Sequence, residues 1–118
     1  MIATGVYVNT YAAARIAGIT YRQLDYWCRQ GIIEPTVGAV GSGSRREFSR
    51  DEVRLAWAMA QLRSLGAPFD VLAAVGRSLR WRGEWPDRIY ATHEQVASFP
   101  LPVCWSIDLT RVPAEVAS

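Results

Sequence analysis

The side chains with the clearest capacity for chemistry are concentrated between residues 20 and 30. They are hydroxyl, amide and guanidinium groups, which can hydrogen-bond to phosphate oxygens and to the edges of bases. The set consists of Thr20, Tyr21, Arg22, Gln23, Tyr26 and Arg29. Because binding of this kind needs the side chains on one rigid surface, the element that carries them decides what they can do.

A second polar group lies in the glycine-rich stretch TVGAVGSGSRREFS. Its members are Ser44, Arg45 and Arg46. A glycine-rich loop can hold phosphate, but no GKS or GKT sequence and no strand-loop-helix context follows, so a nucleotide site is not indicated. The stretch instead predicts a wing over residues 37–48, a hairpin with a flexible tip in which Thr36-Val37 pairs with Glu47-Phe48. Its arginines could reach a DNA backbone or minor groove, and a solvated loop with incidental arginines is the alternative.

A short helix is predicted to carry the first polar group. Thr20 and Gln23 have the spacing of a capping box, in which each side chain satisfies a backbone amide at the helix start. Leu24, Trp27 and Cys28 have the spacing of a buried helix face. The tyrosines and arginines of the group must then lie on the outward faces.

A shorter helix and a tight turn are predicted to precede it. Residues 10–17 are rich in alanine, and a small residue such as Ala14 lets two helices cross closely. Gly18 supplies the turn, while Gly31 and the nearby Pro35 end the second helix. Two short helices followed by a basic hairpin have the outline of a winged helix-turn-helix.

Two further helices are predicted to close the core. Ser49 and Glu52 form a second capping box, and residues 53–65 keep apolar side chains on one broad face. Pro68 marks the end of this helix, and residues 69–79 have the spacing of a shorter fourth one.

The pattern changes after residue 80, where WRGEWPD is typical of a polar, aromatic linker. Beyond it the sequence predicts a strand over 88–91, a short helix over 93–97, a strand over 103–109 and a final helical turn. Apolar and polar residues alternate in the last strand, so that one face is apolar. A sheet this small is not stable alone, so its apolar face must cover the helical core or meet a second copy.

The predicted fold class is therefore mainly α with small β. A winged helix-turn-helix over residues 1–80 is expected to be followed by a small C-terminal α/β appendage over residues 81–118. Proline and glycine in the linker favour some separation of the appendage from the core. We expect the appendage to be an assembly element that forms a homodimer.

Composition narrows the classes of function. All thirteen basic residues are arginine, and residues 1–66 hold eight of them against five acidic residues, whereas residues 67–118 hold five against six. The positive excess lies with the helix-turn-helix, as contact with nucleic acid requires. Cys28 and Cys104 belong to no metal-ligand motif, so no metal is expected. The single histidine, His93, has no nucleophile or acid pair near it, so neither an enzyme nor a cofactor is predicted.

The segments AGITYRQLDYWCRQGIIEP, GSGSRREFSRDEV and LRSLGAPFDVL resemble, in order and spacing, MerR-type regulators. The likeness is greatest to an actinobacterial subgroup that includes a regulator of cell division. It covers residues 11–79, and residues 89–92 and 103–109 are similar to a shortened version of the small C-terminal module of that subgroup. The resemblance implies a winged-helix DNA reader, usually a homodimer that acts on an inverted repeat.

Matched position by position, the resemblance also implies roles for single residues. The recognition-helix contact positions fall on Thr20, Tyr21, Arg22 and Tyr26. Arg46 takes the place of the wing arginine, while Arg45 stands where many members have a tyrosine and Ser44 where they have a glycine. Many members continue into a long dimerisation helix, which residues 81–86 break here, so metal or drug sensing is not expected.

The leading interpretation is a sequence-specific transcription regulator that reads double-stranded DNA with helix 20–30 and the basic wing 37–48. RNA polymerase is a candidate partner. No stretch approaches the roughly 20 apolar residues of a membrane span, so a cytoplasmic, nucleoid-associated protein is expected. An excisionase-like architectural factor would use a similar winged helix and bend its DNA. A third interpretation is a protein-interaction module that docks through Trp81, Trp85 and Trp105.

Overall fold

A computed structural model of the chain describes four stretches, namely residues 7–35, 46–80, 85–93 and 103–116. Ser44, Arg45 and the remainder of the predicted wing tip lie outside the described residues, as does most of the predicted helix 93–97. None of the helices in the four stretches combines the length and hydropathy needed to cross a bilayer.

The first two helices are the predicted pair across a tight turn. Helix α1 spans Thr10–Ala17 and helix α2 spans Tyr21–Arg29. The Thr20 hydroxyl accepts a hydrogen bond of 3.0 Å from the backbone amide of Gln23, which confirms the Thr20 half of the predicted cap. Gly18 ends α1 at φ 81°, a left-handed conformation that glycine adopts without strain.

The strand that follows the predicted wing pairs with the N-terminal strand. Strands β1 (Tyr7–Asn9) and β2 (Glu47–Ser49) are antiparallel, with Val8 opposite Phe48. The buried Phe48 places β2 on the core, where the N-terminal strand reaches it. The pairing of Glu47-Phe48 with Thr36-Val37 that the sequence predicts stays a prediction, because Thr36 and Val37 lie outside the described residues.

Two longer helices close the core as predicted. Helix α3 spans Arg50–Ser64 and helix α4 spans Phe69–Arg80. The largest fully buried apolar side chains come from α2, β2 and α3 and from the segment between α2 and the wing, and they include Trp27, Phe48, Met59, Leu62 and Ile33. At Gly76, a Cβ atom would lie 2.9 Å from Ile32 Cγ2, so glycine allows α4 to approach this closely.

A C-terminal hairpin completes the described part of the chain. Strands β3 (Arg88–His93) and β4 (Val103–Asp108) are antiparallel, and two short 3-10 turns follow at Leu109–Arg111 and Ala114–Val116. The sequence predicts the start of a helix at His93, and this is wrong because backbone pairing with β4 holds His93 in the strand. The overall class, mainly α with small antiparallel sheets, is confirmed.

The apolar face of the hairpin lies on α3 and α4. Ala91, Ile107 and Leu109 are buried in the same hydrophobic cluster as the helices. The indole Nε1 of Trp105 donates a hydrogen bond of 3.2 Å to the carbonyl oxygen of Leu65. The separation that the linker favoured is therefore wrong for the described residues, and the face expected to meet a second copy is occupied by the chain's own helices. The boundary between residues 80 and 81 stays a prediction.

Candidate nucleic-acid interface

The outward face of α2 carries the polar side chains that the sequence singled out. Leu24, Trp27 and Cys28 are buried on the inner face, as predicted. Four members of the polar set are exposed, namely Thr20, Arg22, Tyr26 and Arg29. Tyr21 and Gln23 are half-buried. One rigid helix therefore presents guanidinium and hydroxyl groups on a single surface of the molecule.

An aromatic contact extends this surface onto α1. The rings of Tyr11 and Tyr21 are 4.7 Å apart between centroids and inclined at 33°. Tyr11 is 66 % exposed, so the aromatic contact brings an accessible tyrosine of α1 next to α2. No sequence pattern singled out Tyr11, because the contact joins two helices and depends on how they cross. Tyr11 is therefore a candidate for the same surface that the sequence did not reveal.

Tyr26 is held by a residue of α4 while its outer part remains accessible. Its ring meets Phe69 edge-on, with the centroids 5.4 Å apart. The side chain is 45 % exposed. Such edge-to-face contacts are a favoured aromatic geometry, so the Tyr26 ring packs on Phe69 while part of it stays accessible.

Asp25 joins α2 to the end of the predicted wing. One carboxylate oxygen accepts a hydrogen bond from Arg29 Nε at 2.8 Å, and the other accepts one from Arg46 Nη2 at 2.9 Å. The hydrogen bond from Arg29 lowers the pKa of Asp25, partial burial opposes it, and Arg46 lowers it further, so that the net pKa is below the ordinary value. Asp25 is therefore a charged anchor between two arginines.

Arg46 has a different environment from the one that the sequence predicts. Its side chain is 0 % exposed, and Nη2 also donates to the Tyr21 hydroxyl at 3.4 Å. Burial would lower its pKa, but the hydrogen bonds to Tyr21 and Asp25 outweigh this and raise it. The expectation of an arginine on a flexible, exposed tip is thus corrected, because a buried guanidinium needs the polar partners that α2 supplies.

The two cysteines differ in their environments. Burial raises the pKa of the Cys28 thiol to about 11, so it stays protonated at neutral pH. Cys104 is exposed and unpaired with another cysteine. Within the four described stretches, no group of three or more His, Cys, Asp or Glu side chains is placed to hold a metal ion.

A second arginine fixes the segment on the entry side of the wing. Arg80, the last residue of α4, forms an ion pair of 2.7 Å with Glu52 at the start of α3 and one of 3.1 Å with Glu34. It also donates to the carbonyl oxygen of Ile32. The Glu52 carboxylate in turn accepts a hydrogen bond of 2.7 Å from the backbone amide of Glu34. The chain that leaves α2 is therefore tied to both α3 and α4 before the predicted wing begins.

Comparison with known proteins agrees with this architecture. The sequence pattern of MerR HTH family regulatory proteins matches residues 10–78. An uncharacterized HTH-type transcriptional regulator of Mycobacterium tuberculosis is 38 % identical over 73 residues, which are 61 % of this chain and 32 % of that protein. One of Mycobacterium bovis gives the same figures. The chain thus matches about a third of the length of these curated relatives.

Proposed function

Because the chain belongs to the MerR family of helix-turn-helix regulatory proteins, we propose that it is a sequence-specific transcription regulator that reads double-stranded DNA with α2 and with a wing over residues 37–48. The observation that carries the proposal is the division of α2 into a fully buried face and an outward face of arginine and tyrosine side chains. A helix presented in this way fits the major groove of B-DNA, which is about 12 Å wide.

The side chains of the proposed interface differ in the parts of DNA that their chemistry suits. Arg22 and Arg29 can make bidentate contacts to guanine or to phosphate. The hydroxyls of Tyr11, Tyr21 and Tyr26 suit phosphate oxygens, which fix the register of a protein on the duplex. Thr20 and Gln23 lie at the helix N-terminus, where backbone amides favour an anionic phosphate.

The wing is the second part of the proposed DNA contact. Ser44 and Arg45 remain the proposed contact residues of its tip. Arg45 adds positive charge there, and charge of this kind contributes affinity that is independent of sequence and falls as salt rises.

Assembly and partners form a further part of the proposal. Two copies on an inverted repeat would place two α2 helices one helical turn of DNA apart. Since the apolar face of the C-terminal hairpin is covered by the chain's own helices, a homodimer has to use another surface. Tyr90 is 71 % exposed on the outer face of β3 and is the first residue we would place there. RNA polymerase is a proposed partner, and the proposed site of action is the nucleoid.

Selection of bound duplexes from a random pool tests the proposal. We expect enrichment of one sequence family, with inverted symmetry if the chain acts as a dimer. A retained pool as diverse as the starting pool, at low salt where binding is strongest, would contradict a sequence-specific reader. Enrichment of repeated, strongly bent sites would instead favour an architectural role.

A further inference from the structure

Arg46 joins three elements at the point where the predicted wing returns to the core. It directly precedes β2, which pairs with β1. Its guanidinium donates to Asp25 and to Tyr21, both on α2. The last residue before β2 is therefore bound to the helix that presents the candidate reading surface.

The environment of this arginine does not suit direct contact with a ligand. The side chain is fully buried, and its charge is paired with Asp25 at 2.9 Å. Arg29 shares the same carboxylate and is 56 % exposed, so it presents a charge to solvent that Arg46 does not. Of the two arginines that share this carboxylate, only Arg29 is accessible to a ligand from solvent.

We infer that Arg46 is a positioning residue: by holding Asp25 and Tyr21, it fixes the rotation of α2 relative to the root of the wing, and so it sets sequence discrimination without touching DNA. The inference rests on the proposed function. Tyr21 is the link to the surface, because its hydroxyl accepts a hydrogen bond from Arg46 while its ring packs against the exposed Tyr11. A small rotation of α2 would move base-reading side chains out of hydrogen-bonding reach, whereas nonspecific attraction to phosphates tolerates it.

Removal of the partner carboxylate separates this role from simple electrostatics. Asp25→Asn removes a negative charge near the proposed DNA surface, so charge alone predicts tighter binding to every duplex. Positioning predicts the opposite for a preferred sequence, since the tie to Arg46 is weakened. The matched control is Asp51→Asn, which removes an exposed carboxylate 4.0 Å from Arg54 on α3.

The experiment compares dissociation constants for a duplex selected by the intact chain and for an unselected duplex, at two salt concentrations. The preference is the dissociation constant of the unselected duplex divided by that of the selected duplex. We expect Asp25→Asn and Arg46→Met each to lower this ratio by roughly tenfold, and the double variant to lower it no further. Asp51→Asn should leave the ratio unchanged. Circular dichroism at the binding temperature establishes that each variant is folded, and Asp25→Asn, at a half-buried residue, is the milder of the two changes.

Several outcomes would overturn the inference. Tighter binding of Asp25→Asn to both duplexes alike is the electrostatic result. Weaker binding of Arg46→Met to both duplexes alike, with a salt slope reduced by about one contact, is the result for a direct phosphate contact. Folded variants that keep the ratio would make the cluster a structural feature alone. If the intact chain prefers no duplex, the proposed function itself fails, and the inference fails with it.

Discussion

At the scale of single residues, two neighbours on α2 show how helix geometry assigns roles. Successive residues of an α-helix point about 100° apart, so Tyr26 and Trp27 cannot share a face. The sequence predicts Trp27 inside and Tyr26 outside, and the structure confirms both positions. Periodicity was sufficient here because the signal lies within one helix.

Substitution at these two positions should give opposite results. Trp27→Ala removes a fully buried ring and should lower the free energy of unfolding by about 3–5 kcal/mol. Tyr26→Phe keeps the edge contact with Phe69 and should leave the melting temperature unchanged, but it should weaken binding to a selected duplex. Thermal melts and binding titrations measure the two effects. A stable Trp27→Ala together with a destabilised Tyr26→Phe would mean that α2 is rotated.

Asp25 should give stability a specific dependence on pH. Its folded pKa lies below its ordinary value, so its stabilising effect is present above the unfolded pKa of about 3.9 and is lost as the pH falls through the folded pKa. The gap in unfolding free energy between the intact chain and Asp25→Asn should be constant from about pH 7 to 5 and should shrink below about pH 4. Urea unfolding of both proteins across this pH range measures the difference in unfolding free energy. A gap that grows on acidification would contradict the assignment.

Arg46 shows what single-sequence patterns miss at this scale. Its position after a glycine-rich stretch predicted an exposed tip, but its burial depends on Asp25, which is 21 residues away in the chain. Tyr11 was missed for the same reason, since its partner Tyr21 is on another helix. Contacts between residues of different elements do not produce a periodic pattern in the sequence.

At the scale of elements, the sequence predicts the locally encoded helices and the pairing of the two C-terminal strands, but it does not predict the pairing of β1 with β2. The four helices follow from periodicity, and the Thr20 and Ser49 caps of α2 and α3 follow from capping residues within one turn. The pairing of β1 with β2 joins strands about forty residues apart, as Val8 opposite Phe48 shows. Likewise, the local sequence predicts a helix start at His93, because local signals do not reveal its strand partner Val103.

The attachment of α4 to α3 can be tested at Arg80. Arg80→Met removes the partner of the Glu52 carboxylate and of the Ile32 carbonyl, and should cost about 1–3 kcal/mol of stability. Glu34→Gln is the control, because Glu34 is exposed and exposed ion pairs contribute at most about 1 kcal/mol. Urea unfolding of both variants measures the difference. Equal, small losses would show that the Arg80 cluster does not fix α4 to α3.

At the scale of the whole molecule, the C-terminal hairpin is a cover for the helices. Ile107→Ala should cost about 2–5 kcal/mol because it opens a cavity in the shared core. Tyr90→Ala, on the outer face of the same hairpin, should change stability by about 0.5 kcal/mol or less. Denaturant unfolding tests both, and a neutral Ile107→Ala would mean that the hairpin is only loosely attached.

The Tyr90→Ala variant also tests assembly. If Tyr90 belongs to a surface between two copies, Tyr90→Ala should lower the mass measured in solution without lowering the stability of the monomer. An unchanged dimer mass would place the interface elsewhere.

The central claim is that the outward face of α2 reads DNA, and one binding measurement tests it most directly. Arg22→Met should weaken binding to a selected duplex by about 1–3 kcal/mol, relax the preference for it, and leave the melting temperature unchanged. Arg77→Met removes an exposed arginine of α4 and should change neither affinity nor preference by a comparable amount. Equal effects of the two substitutions, or none from Arg22→Met, would contradict the claim.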